Sequence, residues 1–149
     1  MKKVLTLLFI LTLALCLFGC GGSEKPEIDI SKISDWISDT GYMDSYDYVT
    51  DWAISDNSGD VSISVVVKDG TDPDAALQVA DGLVRQVSAA ACNQNADLSG
   101  PTGDNYGSFY DYYTAMVGVA EQSKTGDTKD WLVFHSIVDS SGPAVELQK

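Results

Sequence analysis

Apolar residues recur at helical spacing in two stretches of the chain and alternate in others. Ile30, Ile33, Trp36 and Ile37 fall on one face of a short helix. Asp29 or Ser31 can cap its start, and Gly41 supplies its stop. From Tyr46 the period changes to two: Tyr46, Tyr48, Thr50, Trp52 and Ile54 alternate with Asp47, Val49, Asp51, Ala53 and Ser55. DNSGD (56–60) reads as a turn, and Val61, Ile63, Val65 and Val67 continue the alternation, so the spacing predicts a half-buried antiparallel hairpin. KDGTDPDAA (68–76) then holds a turn and a helix start. Asp72 is the N-cap, Pro73 suits the first helical position, and Asp74 complements the helix dipole. This long helix is expected to reach about Ala91, with Ala76, Ala80, Leu83, Val84, Val87 and Ala91 as its buried stripe.

After a polar loop over 93–105, a second hairpin is predicted, with strands within Phe109–Glu121 and Asp130–Asp139. The order α-β-β-α-β-β implies an α+β fold: an antiparallel sheet of about four strands with a long helix packed on one face. The second hairpin is apolar on both faces. Tyr110, Tyr112 and Met116 alternate with Phe109, Tyr113, Ala115, Val117 and Val119; Trp131, Val133, His135 and Ile137 alternate with Leu132, Phe134 and Val138. Strands covered on both sides have this pattern, whereas a second face left uncovered would be an apolar contact surface.

The first residues belong to a different kind of segment. Lys2 and Lys3 precede an apolar run from Val4 to Phe18, too short to cross a bilayer of about 20 residues' thickness and followed by no basic stop-transfer cluster. A secretory leader fits this pattern. Its end, Leu17-Phe18-Gly19-Cys20, resembles the lipobox of bacterial lipoprotein signal peptides, with Leu17, Gly19 and Cys20 matching. The resemblance covers only the first 20 residues. It implies that a dedicated peptidase removes residues 1–19 and that the Cys20 thiol carries a diacylglyceryl group. The alternative, a plain leader that leaves Cys20 a free thiol, needs A-x-A-like spacing, which is absent. Doubly acylated chains anchor stably without a spanning helix, so the expected location is extracytoplasmic, on a bacterial cell membrane. Residues 20–28 then form a lipidated cysteine and flexible tether, and residues 29–149 a single acidic domain.

Charge narrows the partners. Without Lys2 and Lys3, seven basic residues remain against 22 acidic ones, a net charge of −15. That field repels phosphate backbones, which excludes nucleic acid, and favours cationic ligands or basic protein surfaces. With Cys16 in the leader and Cys20 lipidated, Cys92 is the remaining thiol and no internal disulfide can form.

No catalytic, cofactor or metal site is assigned. There is no G-x-S-x-G elbow. His135 and Ser136 are strand neighbours whose side chains point to opposite faces. One His and one free Cys are a poor zinc set. Asp56-Asn57-Ser58-Gly59-Asp60 imitates the start of a calcium loop, but Val61 stands at its sixth position and Val67 at its twelfth. The remaining feature is aromatic. NYGSFYDYY places several tyrosines together, and Tyr110 and Tyr112, with Trp131 and His135, form the candidate contact patch. The expectation is a membrane-anchored, non-catalytic binding module. The alternatives are an aspartate-dependent envelope enzyme, a calcium-binding domain or a structural assembly subunit.

Overall fold

Asp29 begins the first helix as the sequence requires. Its carboxylate accepts the Ser31 N–H at 3.0 Å, and α1 runs Ile30–Thr40. Gly41 closes it in the left-handed region, φ 64°, donating its N–H to Ser38 O. The computed structural model describes residues 24–149. The leader 1–19, with Leu17 and Gly19, and the lipidation position Cys20 lie outside the described residues.

Four strands follow the predicted order: β1 (Val49–Asn57), β2 (Asp60–Val67), β3 (Ala115–Glu121) and β4 (Val133–Ile137). The long helix α2 spans Pro73–Gln94; the Asp72 carboxylate caps it by accepting the Asp74 N–H, and Pro73 occupies its first turn. Among the described residues the fold is α+β, with two α-helices and a four-stranded sheet in the order β1-β2-β3-β4.

The sheet is mixed rather than antiparallel throughout. β1–β2 and β3–β4 are antiparallel, but β2 and β3 run parallel, pairing Val61 with Ala115 through Val67 with Glu121. The cause is α2. A 22-residue helix spans about 33 Å, enough to carry the chain from the end of β2 back beside its beginning. The third strand therefore starts again in the direction of the second. Alternation along a strand fixes which side chains share a face; it carries no record of direction.

Both helices pack on the same face. Ile33 and Ile37 of α1, and Val79, Leu83, Val84 and Val87 of α2, join Ile63, Val65, Val117 and Val119 of the sheet in one core, all nearly solvent-free. At the parallel end, Glu121 is buried on this face and accepts the Gly70 N–H at 2.6 Å, while its other oxygen pairs with Lys124. Lys124 is the larger influence and the Gly70 N–H the second, and together they hold the Glu121 carboxyl below the usual glutamate range. A depressed carboxyl contributes stability at neutral pH that is lost as pH falls through its folded value. Glu121→Gln should therefore melt below the native protein at pH 7, and the gap should narrow as pH falls below the ordinary glutamate range. Thermal melts across a pH series check this.

Candidate functional site

The uncovered side of the sheet is built by the residues that alternate with the core. Ser62, Ser64 and Val66 of β2 face it beside Met116, Gly118 and Ala120 of β3, and Gly118 pairs with Phe134 of β4. No helix lies on this side among the described residues; α1 and α2 both cover the other. Phe134 and Met116 are 40% and 41% exposed, large apolar side chains left in water.

Trp131 completes the surface from outside the strand. A 3-10 turn over Thr128–Asp130 delays the start of β4 to Val133, so Trp131 is not in register with the strand's alternation. Its ring folds over Gly118, so closely that a Cβ at that position would overlap the indole. The indole meets Phe134 edge-on, centroids 5.7 Å apart at 88°. Glycine inside a strand is otherwise unfavourable, and here it makes room for the aromatic plate. The indole Nε1 is enclosed without a hydrogen-bond partner, a local cost of the arrangement.

The four residues named from sequence separate. Tyr110 is a correction: it lies in a 3-10 turn, Ser108–Asp111, not a strand, and is fully buried. Its hydroxyl donates to Val84 O of α2 at 2.8 Å, and burial raises its pKa well above that of a free tyrosine. It cannot touch a partner. Tyr112 follows the same turn, half-buried, beside a hollow near Pro26 and Leu98. It lies at the opposite end of the sheet from Trp131, because β3 starts at Ala115 and β4 starts near the other end of β3, at Val119. His135 pairs with Val117 on the covered face, half-buried, its Nε2 3.3 Å from Pro143 O. Trp131 alone of the four joins the open face, and it does so with Phe134 and Met116. Alternation alone puts these two on a strand face without marking either as a contact residue. Gly118, in the middle of a valine-rich strand, was the available signal.

Tyr106, Asp81 and Arg85 are tied into structure, whereas the buried Ser88 hydroxyl has no hydrogen-bond partner. Tyr106 donates to Asp81 Oδ1 at 2.7 Å and accepts the Val145 N–H at 2.9 Å. Asp81 in turn pairs with Arg85 Nε at 2.9 Å, and the guanidinium lies over the Tyr106 ring and donates to Thr102 O. Burial, then the Asp81 contact, pushes the Tyr106 hydroxyl up to about 12, so it stays protonated at neutral pH. This network fastens the 99–107 loop and the C-terminal tail to α2. It does not supply a base poised near neutrality.

An open hollow of about 410 Å³ near the start of β1 is lined by Tyr46 and Trp52 and by Asp44, Asp47 and Asp51. The 56–60 stretch is the tight turn between β1 and β2, with Ser58 and Gly59 at positive φ and Asp56 accepting the Gly59 N–H. Among the described residues no group of three or more His, Cys, Asp or Glu side chains is placed to hold a metal ion. Comparison with protein-family models, with curated proteins and with solved structures finds no match to this chain.

Proposed function

We propose that this chain is an extracytoplasmic lipoprotein, anchored through Cys20, whose acidic domain is a non-catalytic binding module for a basic protein surface in the bacterial envelope. The observation that carries the reading is the uncovered sheet face, where Phe134 and Met116 stand in water beside the half-buried Trp131 ring although both helices are spent on the other side. The anchor rests on the order of basic residues, apolar run and Leu17-Phe18-Gly19-Cys20. The sign of the partner follows from the charge. Eighteen aspartates and four glutamates give the domain a negative field, which steers basic surfaces toward it and turns acidic ones away.

The face is suited to docking rather than turnover. Its centre is aromatic and thioether surface, and beside it lie serine hydroxyls that can exchange water for a partner's polar groups. Such a patch gains affinity from a few large side chains near its centre.

A photo-crosslinking amino acid at position 134, in the full-length protein in intact cells, tests the proposal. A discrete adduct with one basic protein is expected from position 134 and not from Asp39, exposed on α1. Phe134→Ser with Met116→Ser should abolish that interaction, as judged by crosslinking from Ser136 on the same face, while moving the thermal midpoint little. No adduct at 134, or an adduct with a second copy of the chain, would overturn the partner assignment.

A further inference from the structure

The segment that follows Cys20 is fastened to the domain sooner than its composition implies. The Lys25 ammonium donates to Gly59 O at 2.8 Å and lies 3.8 Å above the Tyr113 ring. The Tyr113 hydroxyl donates to Pro26 O at 2.7 Å and accepts the Ile28 N–H at 3.2 Å. Ile28 enters the core, and the next residue, Asp29, exchanges two hydrogen bonds with the Gln94 amide at the end of α2. Residues 25–29 are therefore a strap across one pole of the domain. That pole is made of the β1–β2 turn, the first turn of α1 and the last turn of α2.

We infer that this pole faces the membrane and that the strap makes the domain stand with its strands along the membrane normal. The inference rests on the anchoring of Cys20 proposed above. From Cys20 to Lys25 there are five residue steps, which at full extension reach only about 18 Å. A fully flexible 20–28 tether would reach about 29 Å on the same rule and allow the domain to turn freely. The strap shortens the reach to less than the length of the domain itself, since the nine residues of β1 alone cover about 26 Å from Asn57, near the strap, to Val49.

Charge keeps the domain off an anionic headgroup layer in either pose. The strap pole exposes Glu24, Glu27, Asp56, Asp60 and Asp97, while lying flat would bring Asp35 and Asp39 of α1 or Asp51 of β1 within a Debye length of about 8 Å. The short reach of the tether is therefore what selects the upright pose. The aromatic–acidic hollow lined by Tyr46 and Trp52 then sits at the outward pole, and the open face with Trp131 and Phe134 stands perpendicular to the bilayer, free along its length.

Full-length lipidated protein in vesicles of phosphatidylcholine and phosphatidylglycerol tests the orientation. In a Cys92→Ala background, a fluorophore goes either on Asp97→Cys, beside the strap, or on Asp47→Cys, at the far pole; a headgroup-linked quencher sits in the lipid. Most of the emission should be lost from the position-97 label and almost none from the position-47 label. A flexible insertion after Ser23 should narrow that difference. Equal quenching at the two positions, or a difference that survives the insertion, would overturn the orientation while vesicle binding stands. Absence of the diacylglyceryl mass on Cys20, with no vesicle binding, would overturn the anchoring reading and the orientation with it.

Discussion

Tyr110→Ala should lower the thermal midpoint by more than about 10 °C, the largest effect of any single aromatic truncation in the 106–113 segment. The ring is solvent-free against α2, with Phe109 edge-on at 5.1 Å and Tyr106 at 6.2 Å. Removing such a ring leaves a cavity that close-packed neighbours fill poorly, at a cost of about 3–5 kcal/mol. The hydroxyl adds a smaller amount. Tyr110→Phe keeps the ring and loses only the bond to Val84 O, about 1 kcal/mol, because that carbonyl still has its place in the helix ladder. Tyr112→Ala should sit close to Tyr110→Phe, since Tyr112 is already half in water. A large loss for Tyr110→Ala, with small and similar losses for Tyr110→Phe and Tyr112→Ala, distinguishes a core anchor from a contact residue. A Tyr110→Ala protein that melted within about 2 °C of the native one would contradict the buried placement.

The contrast between Tyr110 and Trp131 shows what local pattern can and cannot carry. The helices were legible because their signals are local: Asp29 and Asp72 cap, Pro73 opens, Gly41 closes, and the apolar stripes fix the buried faces. The first hairpin was legible for the same reason, its turn residues and alternation lying within nineteen positions. The tyrosine-rich stretch was not. Alternation and β-propensity favour a strand there, but its conformation is set by partners far away in sequence. Tyr106 answers to Asp81 and Val145, Tyr110 to Val84, and Tyr113 to Pro26 and Ile28. Gly107 at φ 91° turns the chain into the 108–111 turn, and the strand begins only at Ala115. The strap is likewise held by distant partners. Gly, Ser and Pro describe a flexible tether correctly when nothing meets it, and here Tyr113 and Gly59 meet it from Lys25 onward.

Gly118→Val should detach Trp131 from the open face and remove the contact surface in one step. Two effects oppose each other. A β-branched residue in place of glycine in a strand interior is favourable by about 1 kcal/mol, through backbone entropy and fit to the pleat. Against that, the new side chain occupies the space of the Trp131 ring, whose Cε3 lies 2.6 Å from where a Cβ would sit. Overpacking of this kind costs about 1–3 kcal/mol, and a rigid indole cannot yield as the end of a flexible chain would. The clash wins, and the ring swings into water. The expected readings are a modest fall in thermal midpoint, a red-shifted tryptophan emission, and loss of the adduct otherwise formed from position 134. Ordinary strand destabilisation would give the first reading without the second. Trp131→Phe separates the two. Its smaller ring relieves part of the overlap, so Gly118→Val should cost less in that background than in the native one. Equal costs in both backgrounds would mean that Gly118 serves the strand alone, and that Trp131 is not the plate on which the open face is built.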